Sequence, residues 1–497
     1  MVILRKSGVL MHISSLPSPY GVGTMGKDAR EFVDFLAEAG QSCWQLLPVC
    51  PTSYGDSPYQ SYSTFAGNPY FIDLDLLEQE GFLEKSEYRS IDWENKPEQV
   101  NYGALYEKRY PILRLAAGRF LQAPSEKFKI FCRDQSFWLD DYALFMTLKN
   151  IHEGLPWTDW QPDCRNHDAD ALAGIGSRYK EDILFWKVLQ FFFFEQWKGL
   201  RVYANAKKID IIGDLPFYVA MDSVDVWAHP ELFQLDEERK PMDVAGCPPD
   251  GFSATGQLWG NPLYRWEEHK ESGYRWWIQR IGYLCNVYNV LRIDHFRGFD
   301  SYYAIPYGDP DASGGRWMKG PGMDFFRTME ETIGAQRIIA EDLGFLTESV
   351  RGLLRDSGFP GMKVLEFAFD TREASHEDYL PYNYPKHCVA YTGTHDNDTI
   401  QGWFKSAGRE DIAFAKDYLR IRDEADGHWD MMCGLWASTA ELTIVQAQDL
   451  LGLGSESRMN TPSTLGGNWS WRACPGAFDS ALAEKLKHYT KLYGRTI

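Results

Sequence analysis

The feature that most restricts how this chain can fold is a recurring unit. A short apolar run, rich in β-formers, ends in a polar or Gly/Pro-rich segment, and amphipathic stretches lie between. Eight such runs are present: Gly8–Ile13, Cys43–Val49, Ile209–Leu215, Val290–His295, Arg337–Glu341, Lys363–Phe369, Cys388–Thr392 and Leu442–Gln448. Strands covered on both faces read as continuous apolar runs rather than as alternation, so these runs predict buried parallel strands. Helical periodicity over Lys27–Ala39, Tyr274–Asn289, Met323–Ile333, Glu348–Asp356 and Phe478–Tyr493 separates several of them. Strand then helix, with eight strands in all, predicts an α/β fold of the (β/α)8 TIM-barrel type. An open doubly wound sheet is the alternative, but no GxGxxG follows the first run to favour it.

The chain has 497 residues, whereas such a barrel needs roughly 250. The surplus is assigned to insertions within one catalytic barrel spanning 1–497, two separate domains being the alternative. Residues 50–208 are too many for a loop and carry helical patterns at Phe137–Lys149 and Ile183–Lys198, which predicts an inserted, mainly helical subdomain. Residues 237–273 are rich in Gly, Pro and Trp (AGCPPDGFSATGQLWGNPLY) and are read as a lid loop over the active site. No internal repeat, low-complexity tract or flexible linker interrupts this plan.

Charge and composition exclude several functions. A net charge of −19 and a pI near 5.1 repel a phosphate backbone, so nucleic acid is not an expected partner. Nine cysteines, odd in number and scattered without a CxxC pair, read as reduced thiols of the cytoplasm. The N-terminal MVILRKSGVLMHISS has no uninterrupted apolar h-region and is not read as a signal peptide. The most apolar stretch, Phe191–Phe194, is flanked by Lys187, Glu195 and Lys198 and is too short to span a bilayer, so no membrane role is expected. Aromatic residues reach 15%, with 18 Trp and 27 Tyr. They suit a large core and also the C–H faces of sugar rings, and composition leaves both open.

Three carboxylates sit at the ends of three predicted strands: Asp294 in VLRIDHFRGFD, Glu341 in RIIAEDLG and Asp396 in AYTGTHDND. Strand ends converge on one face of a barrel, so residues about 50 apart in sequence become neighbours. Singly, an Asp after a strand, such as Asp396 or Asp342, reads as a helix cap or turn former. Together, with Arg, His or Asn beside each acid, capping no longer explains the set. Cleaving a glycosidic bond with retention requires a carboxylate nucleophile and a carboxylic acid ~5–5.5 Å apart. Arg292, two residues before Asp294 on a strand, shares its face and would hold Asp294 ionised, a structural salt bridge being the alternative. His295 and His395 adjoin the acids and could hydrogen-bond sugar hydroxyls. No HExxH or EF-hand spacing is present, and an Arg beside the nucleophile opposes a cation, so neither a metal nor another cofactor is expected. The absence of GxSxG, Walker A and kinase-like motifs disfavours serine hydrolysis and phosphoryl transfer.

The segments SGVLMHISSLPSPYGVG, SPYQSYSTFAGNPY, IIGDLPFYV, LRIDHFRGF, AEDLG, THDND and GSESRMNTPSTLGGNWSWR, running from residue 7 to 472, resemble the amylomaltase (disproportionating enzyme) family, relatives of the α-amylase superfamily. The resemblance implies a 4-α-glucanotransferase acting on malto-oligosaccharides, amylose or glycogen-derived dextrins, with glucose as an acceptor and intramolecular cyclisation as a further reaction. It implies Asp294 as nucleophile, Glu341 as general acid/base and Asp396 as a third carboxylate that grips sugar hydroxyls. It further implies that Tyr59 stacks on the sugar, that Asp214, Arg292, His295 and His395 line the same subsite, and that Asp250, Gln257 and Trp259 belong to the acceptor-side lid. Asn468, in a late loop, is assigned to binding. The rival readings are a retaining α-glucan hydrolase of the same superfamily and a noncatalytic glucan-binding protein.

Overall fold

Among the described residues twelve strands form, in chain order β1 (Lys6–Leu10), β2 (Cys43–Gln45), β3 (Asp210–Leu215), β4 (Asp243–Cys247), β5 (Gln257–Pro262), β6 (Val290–Ile293), β7 (Ser301–Pro306), β8 (Arg316–Lys319), β9 (Ile338–Ala340), β10 (Gly361–Val364), β11 (Cys388–Tyr391) and β12 (Leu442–Gln446). The structure is a computed structural model that describes residues 5–496 apart from 54, 94–95, 250–253, 345, 373–375 and 465. Eight strands make one parallel sheet in the order β10-β11-β12-β1-β2-β3-β6-β9. Its two ends meet where the amide of Ala340 donates to the Pro360 carbonyl at 2.9 Å, which nearly closes the barrel. Each of the eight apolar runs supplies one barrel strand, shorter than the run itself; β1 and β10 begin two residues before their runs, β3 ends with its run at Leu215, and the other runs continue past the strand into the loops at the barrel mouth. Gly213 in β3 is required by packing: a Cβ there would lie 2.2 Å from the ring of Tyr288, which closes over that face of the barrel.

The crossover helices follow the periodicity closely, as Lys27–Glu38, Arg275–Val287, Met323–Ile333, Glu348–Ser357 and Ser480–Leu492. Local signals set their ends. Asp479 accepts the amide of Leu482 at 2.8 Å, capping one of the helix donors that has no intrahelical partner. Gly358, at φ +70°, ends the Glu348–Ser357 helix in the left-handed region.

Between β2 and β3 the chain is mainly helical, and its longest helix, Lys180–Ala206, outruns the Ile183–Lys198 pattern at both ends. Phe120, Phe128, Phe191 and Phe192 pack there with ring centroids 5.3–5.5 Å apart for the pairs Phe120–Phe128, Phe120–Phe191, Phe120–Phe192 and Phe128–Phe191. A second sheet, antiparallel and four-stranded in the order β5-β4-β7-β8, was not expected. The segment read as a lid loop contributes β4, β5 and the helix Trp266–Glu271, so this part of the chain is structured. The second sheet escaped the sequence reading although β7 (SYYAIP) is a buried run, because its edge strand β8 is exposed throughout and its pairing is interrupted by a register shift between Val244 and Gly246.

Candidate active site

The barrel brings charge together at the C-terminal ends of adjacent strands. Asp214 of β3 and Arg292 of β6 lie opposite each other in the sheet register. Nη1 of Arg292 donates to both oxygens of Asp214 at 2.7 Å and stands 3.1 Å from Oδ1 of Asp294. The Arg292 and Asp214 side chains are 4% and 1% exposed, whereas Asp294 is 27% exposed. The guanidinium is thus sealed beneath two acids, and only Asp294 opens to the cleft. Nε of Arg292 approaches Sδ of Met362 at 3.4 Å, which fixes the plane of the fork.

Glu341 emerges from β9, one strand further round. Its amide donates to the Ile293 carbonyl at 2.9 Å. Its Oε2 accepts the amide of His295 at 2.6 Å, and its Oε1 accepts that of Leu343 at 2.8 Å. His295 reaches this position with a left-handed backbone, φ 48°, an uncommon conformation for a non-glycine residue and one often found at functional sites. Burial raises the Glu341 carboxyl above its ordinary range, against the pull of Arg292 and the two amides. Burial also raises Asp294; Arg292 opposes this, while the charges on Asp214, Glu341 and Asp396 add to it. Asp294 and Glu341 therefore titrate as a coupled pair. The guanidinium at contact distance favours the anion on Asp294.

Asp396 sits in the loop after β11, 46% exposed. Its Oδ1 accepts Nδ2 of Asn460 at 2.6 Å and lies 3.3 Å from Nε2 of His395. Both ends of the loop are tied to one buried carboxylate, that of Asp449, which accepts Oγ1 of Thr392 at 2.7 Å and the amide of Ile400 at 2.8 Å. Asp396 caps no helix: the following helix, Ile400–Ser406, is capped by Thr399, whose Oγ1 accepts the Gly402 amide at 3.0 Å. Asp342 is no helix cap either. It ties β9 to β10 by accepting the Met362 amide at 2.6 Å.

Aromatic rings flank the acids on two sides. Tyr59 stacks on His395 with centroids 4.8 Å apart and an interplanar angle of 19°, and its hydroxyl donates to Asp214 at 2.7 Å. Trp469 packs against both rings at 5.8 and 5.7 Å. Across the cleft the ring of Trp259 meets His295 edge-on at 5.0 Å, and Nε1 of Trp259 donates to Oε1 of Gln257 at 3.0 Å. Burial holds His395 below its ordinary range. Burial together with Arg297 holds His295 at about 3. Both shifts favour the neutral imidazole. Nε2 of His295 is buried and without a hydrogen-bond partner, which suits a ligand hydroxyl.

Asp250 lies outside the described residues. Asn468 stands apart from the carboxylates: its Oδ1 accepts the Thr461 amide at 3.0 Å and its Nδ2 donates to Oγ1 of Thr464 at 3.1 Å, both within its own loop. Asn460 is the asparagine of that loop that reaches an acid, and sequence reading missed it together with Trp469. Both occur in GSESRMNTPSTLGGNWSWR, but spacing along a loop does not tell which of its asparagines faces the cleft. Among the described residues, no three His, Cys, Asp or Glu side chains are grouped to hold a metal ion. The gap between Asp214 and Asp294 is filled by Arg292. The described arrangement sets Asp294, in contact with a guanidinium, and Glu341, held by two backbone amides, on one rim with the more exposed Asp396.

A family profile described as 4-alpha-glucanotransferase matches residues 11–476. A 4-alpha-glucanotransferase of Clostridium butyricum is 48% identical over 98% of this chain and 100% of its own. One of Thermus thermophilus is 46% identical over 98% of each. The structure of an amylomaltase from Streptococcus agalactiae in complex with acarbose superposes with a TM-score of 0.96 at 44% identity, covering 99% of this chain and 100% of that one. Among the described residues, no helix is long and apolar enough to cross a membrane.

Proposed function

Because the chain belongs to the 4-alpha-glucanotransferase family, and so moves α-1,4-glucan segments from a donor to an acceptor, we propose that Asp294 is its nucleophile and Glu341 its general acid/base. Asp294 attacks the anomeric carbon while Glu341 protonates the departing glycosidic oxygen, giving a β-linked glycosyl-enzyme. Glu341, now ionised, takes the proton of the acceptor 4-hydroxyl as that oxygen displaces Asp294, which restores the α-linkage. The observation that carries this reading is the single guanidinium of Arg292 touching both Asp214 and Asp294, which supports a charged nucleophile beside a protonated acid.

Asp396, with Asn460 behind it, binds sugar hydroxyls and gains strength as positive charge develops on the ring. Tyr59, His395 and Asp214 form one wall of the subsite for the transferred sugar, and His295 another. Gln257 and Trp259, carried on the 237–273 segment that also holds Asp250, line the acceptor side and act with it as a lid. Residues 50–208 form a helical subdomain beside the barrel. An acceptor hydroxyl must outcompete water for the glycosyl-enzyme. Holding it in place can raise its effective molarity to ~10⁵ M or more, and an aromatic wall excludes bulk solvent. Donors are malto-oligosaccharides, amylose and glycogen-derived dextrins; glucose is an acceptor; cyclisation is the intramolecular version of the same step. The cytoplasm, where such dextrins and reduced thiols coexist, is the compartment of action.

The test uses Glu341→Gln and Asp294→Asn. With maltotriose both lose activity, and the wild type forms longer and shorter products with little new reducing end. With α-maltotriosyl fluoride, whose leaving group needs no protonation, Glu341→Gln accumulates a covalent glycosyl adduct on Asp294, read by intact-mass and peptide mass spectrometry. An adduct on another carboxylate, or disproportionation within tenfold of wild type in either variant, overturns the assignment. Only shorter products with rising reducing ends would make water the acceptor.

A further inference from the structure

We propose that a groove at the opposite end of the barrel from the acids is a holding site for an α-1,4-glucan chain, so that the polymeric substrate is bound at a second place. The identity of the ligand rests on the transferase activity, and the groove itself on independent geometry. It has a volume of about 620 Å³, within the range of sites that enclose small ligands. Its walls come from segments that precede strands. Pro381 and Tyr382 lie before β11, Ser438 and Thr439 before β12, and Tyr493 ends the chain's last helix, its carbonyl accepting Nη1 of Arg5 at 2.7 Å just ahead of β1. Asp294, Glu341 and Asp396 all follow strands. Strands of four or five residues rise roughly 13–17 Å, so a ligand in the groove occupies no part of the catalytic cleft.

The lining has the chemistry of a sugar site. Tyr382 is 64% exposed, while Tyr418, Tyr489 and Tyr493 are half-buried. The wall behind them is rigid, because Tyr489 stacks on Trp429 at 5.4 Å and on Trp436 at 6.1 Å. Aromatic faces suit the apolar faces of pyranose rings, and tyrosine adds a hydroxyl. Ser438 is fixed by its carbonyl, which accepts from Arg5 at 2.6 Å and from Arg495 at 3.1 Å. Its hydroxyl is buried and without a partner, a costly state for a polar group unless a ligand completes it. Arg420 and Asp430 add one charge of each sign, so the groove selects a neutral, polyhydroxylated ligand over an anion.

Retention of the protein during native electrophoresis through a gel containing amylose tests this. It is measured in the Asp294→Asn background so that the polymer is not consumed, with and without Tyr382→Ala or Ser438→Ala. The expected result is at least a threefold loss of retention with each groove substitution. In the otherwise wild-type chain each substitution leaves maltotriose disproportionation within twofold and raises KM for amylose at least threefold. Undiminished retention in both variants overturns the proposal. So does a parallel fall in maltotriose turnover, because it would show that the groove acts through the fold of the cleft. Failure of the nucleophile assignment would appear instead in the glycosyl-adduct experiment, which the groove does not enter.

Discussion

Replacing Arg292 by Met removes one charge from the centre of the site while keeping most of the buried stem. The guanidinium stands 3.1 Å from Asp294 and 2.7 Å from both oxygens of Asp214. At an effective dielectric constant of about 20, one unit pair at 3.1 Å is worth about 5 kcal/mol. Burial and the neighbouring acids oppose this, and a net effect of about 1–3 in pKa is usual for a carboxylate beside an arginine. The sign follows directly. Without the cation the Asp294 carboxyl rises further, a smaller fraction is ionised at any acidic pH, and the acid limb of kcat/KM moves to higher pH by about 1–3. On the acid side of the wild-type limb the expected loss approaches roughly 10- to 1,000-fold, and activity recovers as the pH rises past the limb of the variant. Arg292→Lys keeps a charge without the planar fork and should shift the limb less. The assay is the initial rate of glucose release from maltotriose between pH 4.5 and 9, with circular dichroism to confirm folding, because breaking a buried ion pair costs about 3–5 kcal/mol. A uniform fall in rate with the acid limb within 0.3 of wild type, a margin well inside the expected shift, would refute the reasoning and leave Arg292 a purely geometric role.

Asn460→Ala removes the 2.6 Å hydrogen bond to Asp396. A bond to a charged group is worth about 1.5–3 kcal/mol, so kcat/KM for maltotriose should fall about 10- to 100-fold, whereas Asn468→Ala should change it little. Burial pushes Asp449 up to about 7, so the folded state keeps a proton that the unfolded chain releases. That contribution is fully present at acid pH and is lost as pH rises to 7. In Asp449→Asn this titration is gone, and urea unfolding should show the stability of the variant relative to wild type improving by about 2–3 kcal/mol from pH 5 to 8; a pH-independent difference would refute it. Arg495, fully buried, donates to the carbonyls of Trp436, Ser438, Ala440 and Lys6. Arg495→Ala should cost about 3–5 kcal/mol in denaturant unfolding, and a loss below about 1 kcal/mol would show that water replaces the guanidinium without penalty.

Much of the site was legible because a barrel converts linear order into convergence. Once the eight buried runs were recognised, Asp294, Glu341 and Asp396 had to emerge on one rim, and Arg292 had to share a face with Asp294. What was not legible depends on contacts between distant segments. The pairing of Arg292 with Asp214 spans 78 positions, and the bond from Asn460 to Asp396 spans 64. Asn468 resembles Asn460 in type and loop, yet its amide is used up on Thr461 and Thr464. Hydrophobic periodicity specifies what is buried, so by itself the sequence determined the parallel barrel, its crossover helices and the rim on which the acids stand. Only the tertiary structure decided the four-stranded antiparallel sheet, whose central strands pair residues as distant as Asp243 and Pro306, and the partner of each charge, because hydrogen bonds and ion pairs act over about 3 Å in space and leave no period along the chain.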